Sequence, residues 1–324
     1  MEYVGIQTQK RRNNTRSLLL LFLFPVLVLV LIFLFFILLL GLSGGEGSSN
    51  GIVLNAFQMS LGSAPYVLLG VGVWFIVAYF ANTSIINSAT HSQSLSRKDN
   101  KRVYNLVENL CMASGMKMPH INVIEDNSLN AFASGLNART YTITLTRGII
   151  NKLDDNELEG VIAHELSHIR NNDVRLLIVS IVFVGIFSMV AQIALNTLRY
   201  MPIRSRGNSN SKGSGGIVVV ILLLAIVAGI GYFFGALMRF AISRKREFLA
   251  DAGAAEMTKR PDALASALHK ISVDPDVEVV KRDDVAQLFI EHPGKQAKGF
   301  LAGLNGLFAT HPPIKERIKV LEQF

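Results

Sequence analysis

The sequence predicts a mainly α-helical chain with a small β-sheet, about four membrane-spanning helices and a soluble domain split by a hydrophobic hairpin. Three observations point there. Long apolar runs alternate with polar stretches, one short segment alternates at period two, and helical periodicity dominates the remainder. Half of the residues are hydrophobic and only 17% are charged, where soluble domains carry roughly 25%.

Residues 1–17 form a basic tail holding Lys10, Arg11, Arg12 and Arg16. From Leu18 to Leu40 the chain is almost unbroken Leu, Phe, Val and Ile, interrupted by Pro25. As a helix this run crosses a hydrocarbon core of about 30 Å, and a proline is tolerated there. Small residues follow at Gly41, Ser43, Gly44 and Gly45, as at a signal cleavage site. The run is longer than the roughly 7–15 residues of a signal core, so a retained anchor is expected. A second span, 64–80, carries Trp74 and Tyr79 and completes a hairpin over 18–80, with Glu46 the sole charge in the loop from Gly41 to Gly62. Arg97, Lys98, Lys101 and Arg102 follow it, so the positive-inside rule places both flanks in the cytoplasm.

Residues 81–173 are the first part of the soluble domain. Lys101 to Met112 has a helical pattern, Ile121 to Ile124 reads as a strand, and Tyr141, Ile143 and Leu145 alternate with Thr140, Thr142, Thr144 and Thr146 as a second strand. A second hydrophobic hairpin occupies 174–242, with runs at 176–195 and 217–242. Its linker holds Arg199, Arg204, Arg206 and Lys212, the wrong charge for a translocated loop. Either both runs span and the basic loop crosses, or they dip into one leaflet. In both cases the crossings are even, and the flanks share a side. Residues 243–324 form the second soluble part, with helices expected at Arg244 to Met257, Pro261 to Ile271 and Pro313 to Gln323, and a loop-rich stretch from Ser272 to Phe308.

Chemistry concentrates in His164-Glu165-Leu166-Ser167-His168. On a helix, two histidines four apart point the same way and can bind one zinc ion, with Glu165 beside them placed to take a proton from water. Asp154 and Asp155 are N-cap candidates, and Leu158, Val161, Ile162 and Leu166 follow at helical spacing. The polar flanks Asn151 to Glu157 and Arg170 to Asp173 exclude the bilayer core as the location of this helix. A hydrolytic zinc centre keeps three protein ligands and one open position. The even crossing count returns Glu247 and Asp251, four apart on one helix face, to the same side. One of them can bind metal while the other accepts a hydrogen bond from a ligand histidine.

The order of a hydrophobic hairpin, His164 to His168 with Ile169-Arg170-Asn171-Asn172-Asp173, a second hairpin, and Arg246-Glu247-Phe248-Leu249-Ala250-Asp251-Ala252-Gly253 closely resembles the HtpX membrane metalloproteases. These are bacterial gluzincins related to the CaaX-prenyl proteases. The resemblance extends to Asn130-Ala131-Phe132-Ala133-Ser134-Gly135 and to Thr310-His311-Pro312-Pro313. It implies a gluzincin-type domain in which His164, His168 and Glu247 bind one Zn²⁺ per subunit, Glu165 is the general base and Asp251 orients a ligand histidine. It also implies that Asn130 lies on a substrate-binding edge strand and that His311 stands near the oxyanion.

The expected function is therefore a zinc endopeptidase at the cytoplasmic face of a bacterial inner membrane. An exposed edge strand would take extended, unfolded chains by main-chain hydrogen bonds, which suits misfolded membrane proteins as substrates and quality control as the role. A processing peptidase of the CaaX-protease type is the alternative, since its chemistry is the same. An inactive scaffold would require loss of Glu165 or a ligand, and all are present. The charge of +8 does not point to nucleic acid, because the basic residues cluster beside apolar runs, where they meet anionic lipid. Cys111 is the single cysteine, which excludes an intrachain disulfide and leaves a catalytic thiol without a motif.

Overall fold

A computed structural model describes residues 6–42, 49–200, 214–240, 244–273, 288–290 and 312–323. The chain divides into two compact units: residues 18–78 with 180–238, and residues 1–17 with 79–179 and 239–324.

The first of these is built from the parts of α1 (Ile6–Leu42), α2 (Ser49–Thr90), α6 (Asp173–Tyr200) and α7 (Ser214–Phe240) that fall within residues 18–78 and 180–238. Phe24 packs on Phe75 and Phe187 at ring separations of 5.6 and 5.5 Å, and Trp74 Nε1 donates to the Val182 carbonyl at 3.3 Å. Large side chains such as Phe22 and Leu69 stay more than two-thirds exposed. An apolar surface of that kind suits lipid rather than water. Among the described residues three helices are long and apolar enough to cross a membrane: Arg11–Leu42, Ser49–Thr90 and Gly216–Phe233. The run at 176–195 lies in α6, whose first turns bury Leu176 and Ile178 in the core of the other unit. The loop expected from Gly41 to Gly62 is shorter, because α2 starts at Ser49 and continues through Pro65 for 42 residues. Ile52, Val53, Leu54, Phe57 and Leu61 make that stretch apolar enough to extend the span.

The second unit carries β1 (Gln93–Ser94), α3 (Lys101–Ala113), β2 (His120–Ile124), β3 (Ala131–Ser134), β4 (Thr142–Thr146), α4 (Arg147–Lys152), α5 (Asp155–Arg170), α8 (Arg244–Thr258), α9 (Pro261–Ile271) and α10 (Ile314–Leu321). The sheet order is β1-β2-β4-β3, with β2 parallel to β4 and β3 antiparallel to β4. All five residues of β4 are buried, so its threonines need partners. Thr146 Oγ1 donates to the Ser128 carbonyl at 2.7 Å and accepts from Asn130 N at 3.1 Å. In the first turn of α4 Gly148 lies so close to the Asn127 carbonyl that a Cβ would sit 2.0 Å from it, which excludes any larger residue.

Asp154, rather than Asp155, caps α5, and Glu157 returns a hydrogen bond to the cap backbone in a capping box. Glu157 also accepts from Ser266 Oγ and Lys270 Nζ, both at 2.7 Å, and so fastens α9 to α5. Gly160 lets the Leu264 backbone approach to about a Cβ contact, 3.2 Å. α5 thus becomes the buried centre of the unit, in contact with α3, α8, α9 and the sheet. Cys111 is buried in α3, where desolvation pushes its thiol up to about 11.

Candidate active site

α5 sets His164 and His168 one turn apart on its buried side, and the packing of α8 brings Glu247 against them. Their ligand atoms lie within 4.8 Å of one another. The two Nε2 atoms are 3.2 Å apart, and the Glu247 oxygens stand 3.6 Å from each. The outer ring nitrogens face carboxylates: His164 Nδ1 is 3.0 Å from Asp251 Oδ1, and His168 Nδ1 is 3.1 Å from Asp173 Oδ2. Carboxylates in those positions fix imidazole tautomer and orientation in metal centres, leaving Nε2 for the ion.

Asp173 reaches His168 because the chain turns sharply after α5. Asn172 adopts the left-handed conformation at φ 58°, which asparagine tolerates, and Asp173 opens α6 directly beyond it. Tyr141 OH donates to Asn172 Oδ1 at 3.2 Å and steadies the turn. Asp251 is held from the other side by Arg317, whose Nε and Nη2 meet its two oxygens at 2.9 and 2.7 Å. The same guanidinium lies 3.7 Å from Glu247 and 3.3 Å from His164 Nδ1.

Four buried carboxyl groups, Asp173, Glu165, Glu247 and Asp251, face two buried guanidinium groups, Arg246 and Arg317. A divalent cation would balance that charge. The protonation tendencies express the same excess. Burial opposes a charged His168, yet Glu247 and Asp173 raise it to about 10. His164 is raised as well: Asp251 and Glu247 outweigh burial and the repulsion of Arg317. Burial lifts Glu165 above the usual carboxylate range against the attraction of the two histidines, suiting it to exchange a proton. Asp251 resists burial through Arg317 and His164 and falls to about 2. Two imidazoles, one carboxylate and this charge balance fit a bound metal ion.

Asn130 is fully buried at the start of β3 and accepts from Ala131 N through its own Oδ1 at 3.0 Å. β3 is the sheet edge, but it is not exposed: all four residues are buried. The Ala131 carbonyl, which points away from β4, accepts from Ile290 N at 2.8 Å, and Phe289 packs on Phe132 with ring centroids 4.8 Å apart. Arg317 Nη1 reaches the Ile290 carbonyl at 3.4 Å, linking this segment to the histidine cluster. His311 lies outside the described residues, as does most of the stretch from Ser272 to Phe308.

The roles of Arg317 and Asp173 beside the histidines are not legible in the sequence. Arg317 did leave a signal, since it shares the apolar stripe of α10 with Ile314, Ile318 and Leu321. A charge at a core-facing position asks for a buried partner. Asp173 sits five residues after His168 in a polar stretch and has no periodicity to mark it.

A histidine pair on one helix closed by an acid from a later helix, in a chain with membrane-length helices, is the arrangement of a membrane-associated metalloprotease. Comparison with known proteins narrows the class. The model of peptidase family M48 matches residues 97–324. The Protease HtpX homolog of Bacteroides fragilis (strain YCH46) is 64% identical over 327 residues, covering 100% of both chains. That of Listeria monocytogenes serotype 4a (strain HCC23) is 36% identical over 258 residues, 78% of this chain and 84% of its own. Among solved structures, the crystal structure of S. mikatae Ste24p aligns with a TM-score of 0.46 at 19% identity, over 79% of this chain and 58% of that one. The chain belongs to peptidase family M48, among the HtpX proteases.

Proposed function

We propose that this metalloprotease is a zinc-dependent endopeptidase acting at the cytoplasmic face of a bacterial inner membrane, with unfolded or misfolded membrane proteins as substrates. The observation that carries the reading is the convergence of His164, His168 and Glu247 within 4.8 Å, with Glu165 buried on the helix of the two histidines. When bound, the ion supplies Lewis acidity that acidifies water and polarises a carbonyl oxygen. His164, His168 and Glu247 hold it, while Asp251 and Asp173 keep the imidazoles oriented. Glu165 takes the proton of the attacking water and returns it to the leaving amine, which its raised pKa favours.

Asn130 positions an extended peptide along β3, and His311 donates a hydrogen bond to the developing oxyanion. An oxyanion donor contributes about 10²–10³-fold in rate. A peptide that pairs with the Ala131 carbonyl takes the place of Ile290 N. Main-chain pairing of this kind makes little demand on sequence, which supports unfolded chains as the substrate class.

Glu165→Gln is the direct test. The purified variant should keep its metal and its unfolding temperature and lose casein cleavage by at least about 10²-fold, the usual contribution of a general base. Wild-type cleavage by that variant would end the assignment.

A further inference from the structure

Asn13 is an anomaly in its surroundings. It stands in the basic segment before the first apolar run, between Arg11, Arg12, Asn14, Thr15 and Arg16, all of which are exposed, yet it is itself 0% exposed. Burying an amide is costly unless its hydrogens are used. Both are: Nδ2 donates to the Asn171 carbonyl at 2.9 Å and to Asp173 Oδ1 at 2.6 Å. Next to it, Asn14 Oδ1 accepts from Asn172 Nδ2 at 3.2 Å, so the segment grips the whole turn between α5 and α6.

The second of those bonds ends on the carboxylate that orients His168. Asp173 has one oxygen on Asn13 and the other 3.1 Å from His168 Nδ1. Rotation of the carboxylate would break both. Arg246 adds a looser restraint, 3.9 Å from Asp173 Oδ1 and bonded to its carbonyl at 3.3 Å. The arrangement parallels the other histidine, where Arg317 holds Asp251 and Asp251 faces His164. Each ligand imidazole thus has a carboxylate, and each carboxylate an anchor drawn from a distant part of the chain: α10 for one, the start of α1 for the other.

We propose that Asn13 is a positioning residue of the metal centre, acting through Asp173 on His168. The segment ahead of the first apolar run is then a wall of the site. The inference rests on the metal-centre reading above.

The test uses the full-length protein in detergent, with zinc affinity measured by competition against a chromophoric chelator and ligand geometry by the visible absorption of the cobalt(II)-substituted protein. Loss of an outer partner of a metal ligand lowers affinity by about 10–100-fold. Asn13→Ala should weaken zinc binding by about tenfold, at the low end of that range, and shift the cobalt bands. Thr15→Ala, which removes only an exposed hydrogen bond within α1, should change neither. In an Asp173→Ala background Asn13→Ala should add less than about twofold, because the pair acts as one unit.

Wild-type affinity in Asn13→Ala overturns the proposal, as does an equal loss in both backgrounds, which would mark a purely structural role. Asn13→Leu keeps the side-chain volume if alanine destabilises the fold. Failure of both variants to fold also counts as a structural role and against the proposal. A wild-type protein that binds neither zinc nor cobalt refutes the metal-centre reading itself.

Discussion

The guanidinium of Arg317 faces Asp251, Glu247 and His164 in a place that water does not reach. Replacing it by methionine leaves buried carboxylates without their facing cation, a change that typically costs about 3–5 kcal/mol. Arg317→Met should therefore lower the unfolding temperature sharply when a chelator is present and less when metal is supplied, because a divalent ion restores part of the charge balance. Lysine should rescue poorly, since one ammonium cannot match the two-pronged contact with both Asp251 oxygens. Thermal unfolding with and without metal decides this, and equal midpoints for wild type and Arg317→Met would refute it. The contrast with the histidines shows what is legible at this scale. His164, Glu165 and His168 are local on a helix and announce themselves by spacing, whereas Arg317 is 153 residues from His164 and meets it only through packing.

α5 owes its placement to Glu157 as much as to its apolar face. That carboxylate closes the capping box and receives Ser266 and Lys270 from α9. Burial pushes its pKa up, but the hydrogen bonds from Lys270 and Ser266 prevail and hold it below the ordinary 4.5. A depressed carboxylate stabilises the fold above its unfolded pKa, and that stabilisation fades as pH falls through the folded value. Glu157→Gln should cost roughly 1–2 kcal/mol near neutral pH, with the difference from wild type shrinking as the pH drops below about 4.5. Denaturant titrations across pH would show a constant difference if the charge were irrelevant. Helices and strands were largely readable, because periodicity and capping residues are local signals. The register was not: β3 at the edge, and its closure by Ile290, depend on a segment far along the chain.

At the scale of the molecule, the proposed topology puts the catalytic unit on the cytoplasmic side through the basic flanks of α1 and α2. Lys101 is exposed at the start of α3, and Cys111, the single natural cysteine, is 2% exposed and a quiet background for labelling. Lys101→Cys should react with a membrane-impermeant maleimide in inverted vesicles and not in intact spheroplasts. The opposite pattern would reverse the assignment of sides. The sequence correctly anticipated apolar runs long enough to span, since hydrocarbon thickness sets a length that composition reveals directly. It left open whether the run at 176–195 spans or packs on the soluble domain, and Leu176 and Ile178 at its start, equally apolar, are buried in a protein core. Hydrophobicity alone does not distinguish these two environments.

The order of residues along the chain sets the chemistry on offer: a histidine pair with its glutamate on one helix, an acidic pair on a later one, and apolar runs of membrane-spanning length. Those are features of spacing and composition, which survive without a fold. Tertiary structure decided the assembly. Packing of α8 on α5 brought Glu247 to the histidines, the Asn172 turn aimed Asp173 at His168, and two distant segments delivered Arg317 and Asn13 to the carboxylates behind the ring nitrogens. Contacts across 66 to 160 residues carry no local pattern and form only when burial of the surrounding apolar surface brings the elements together.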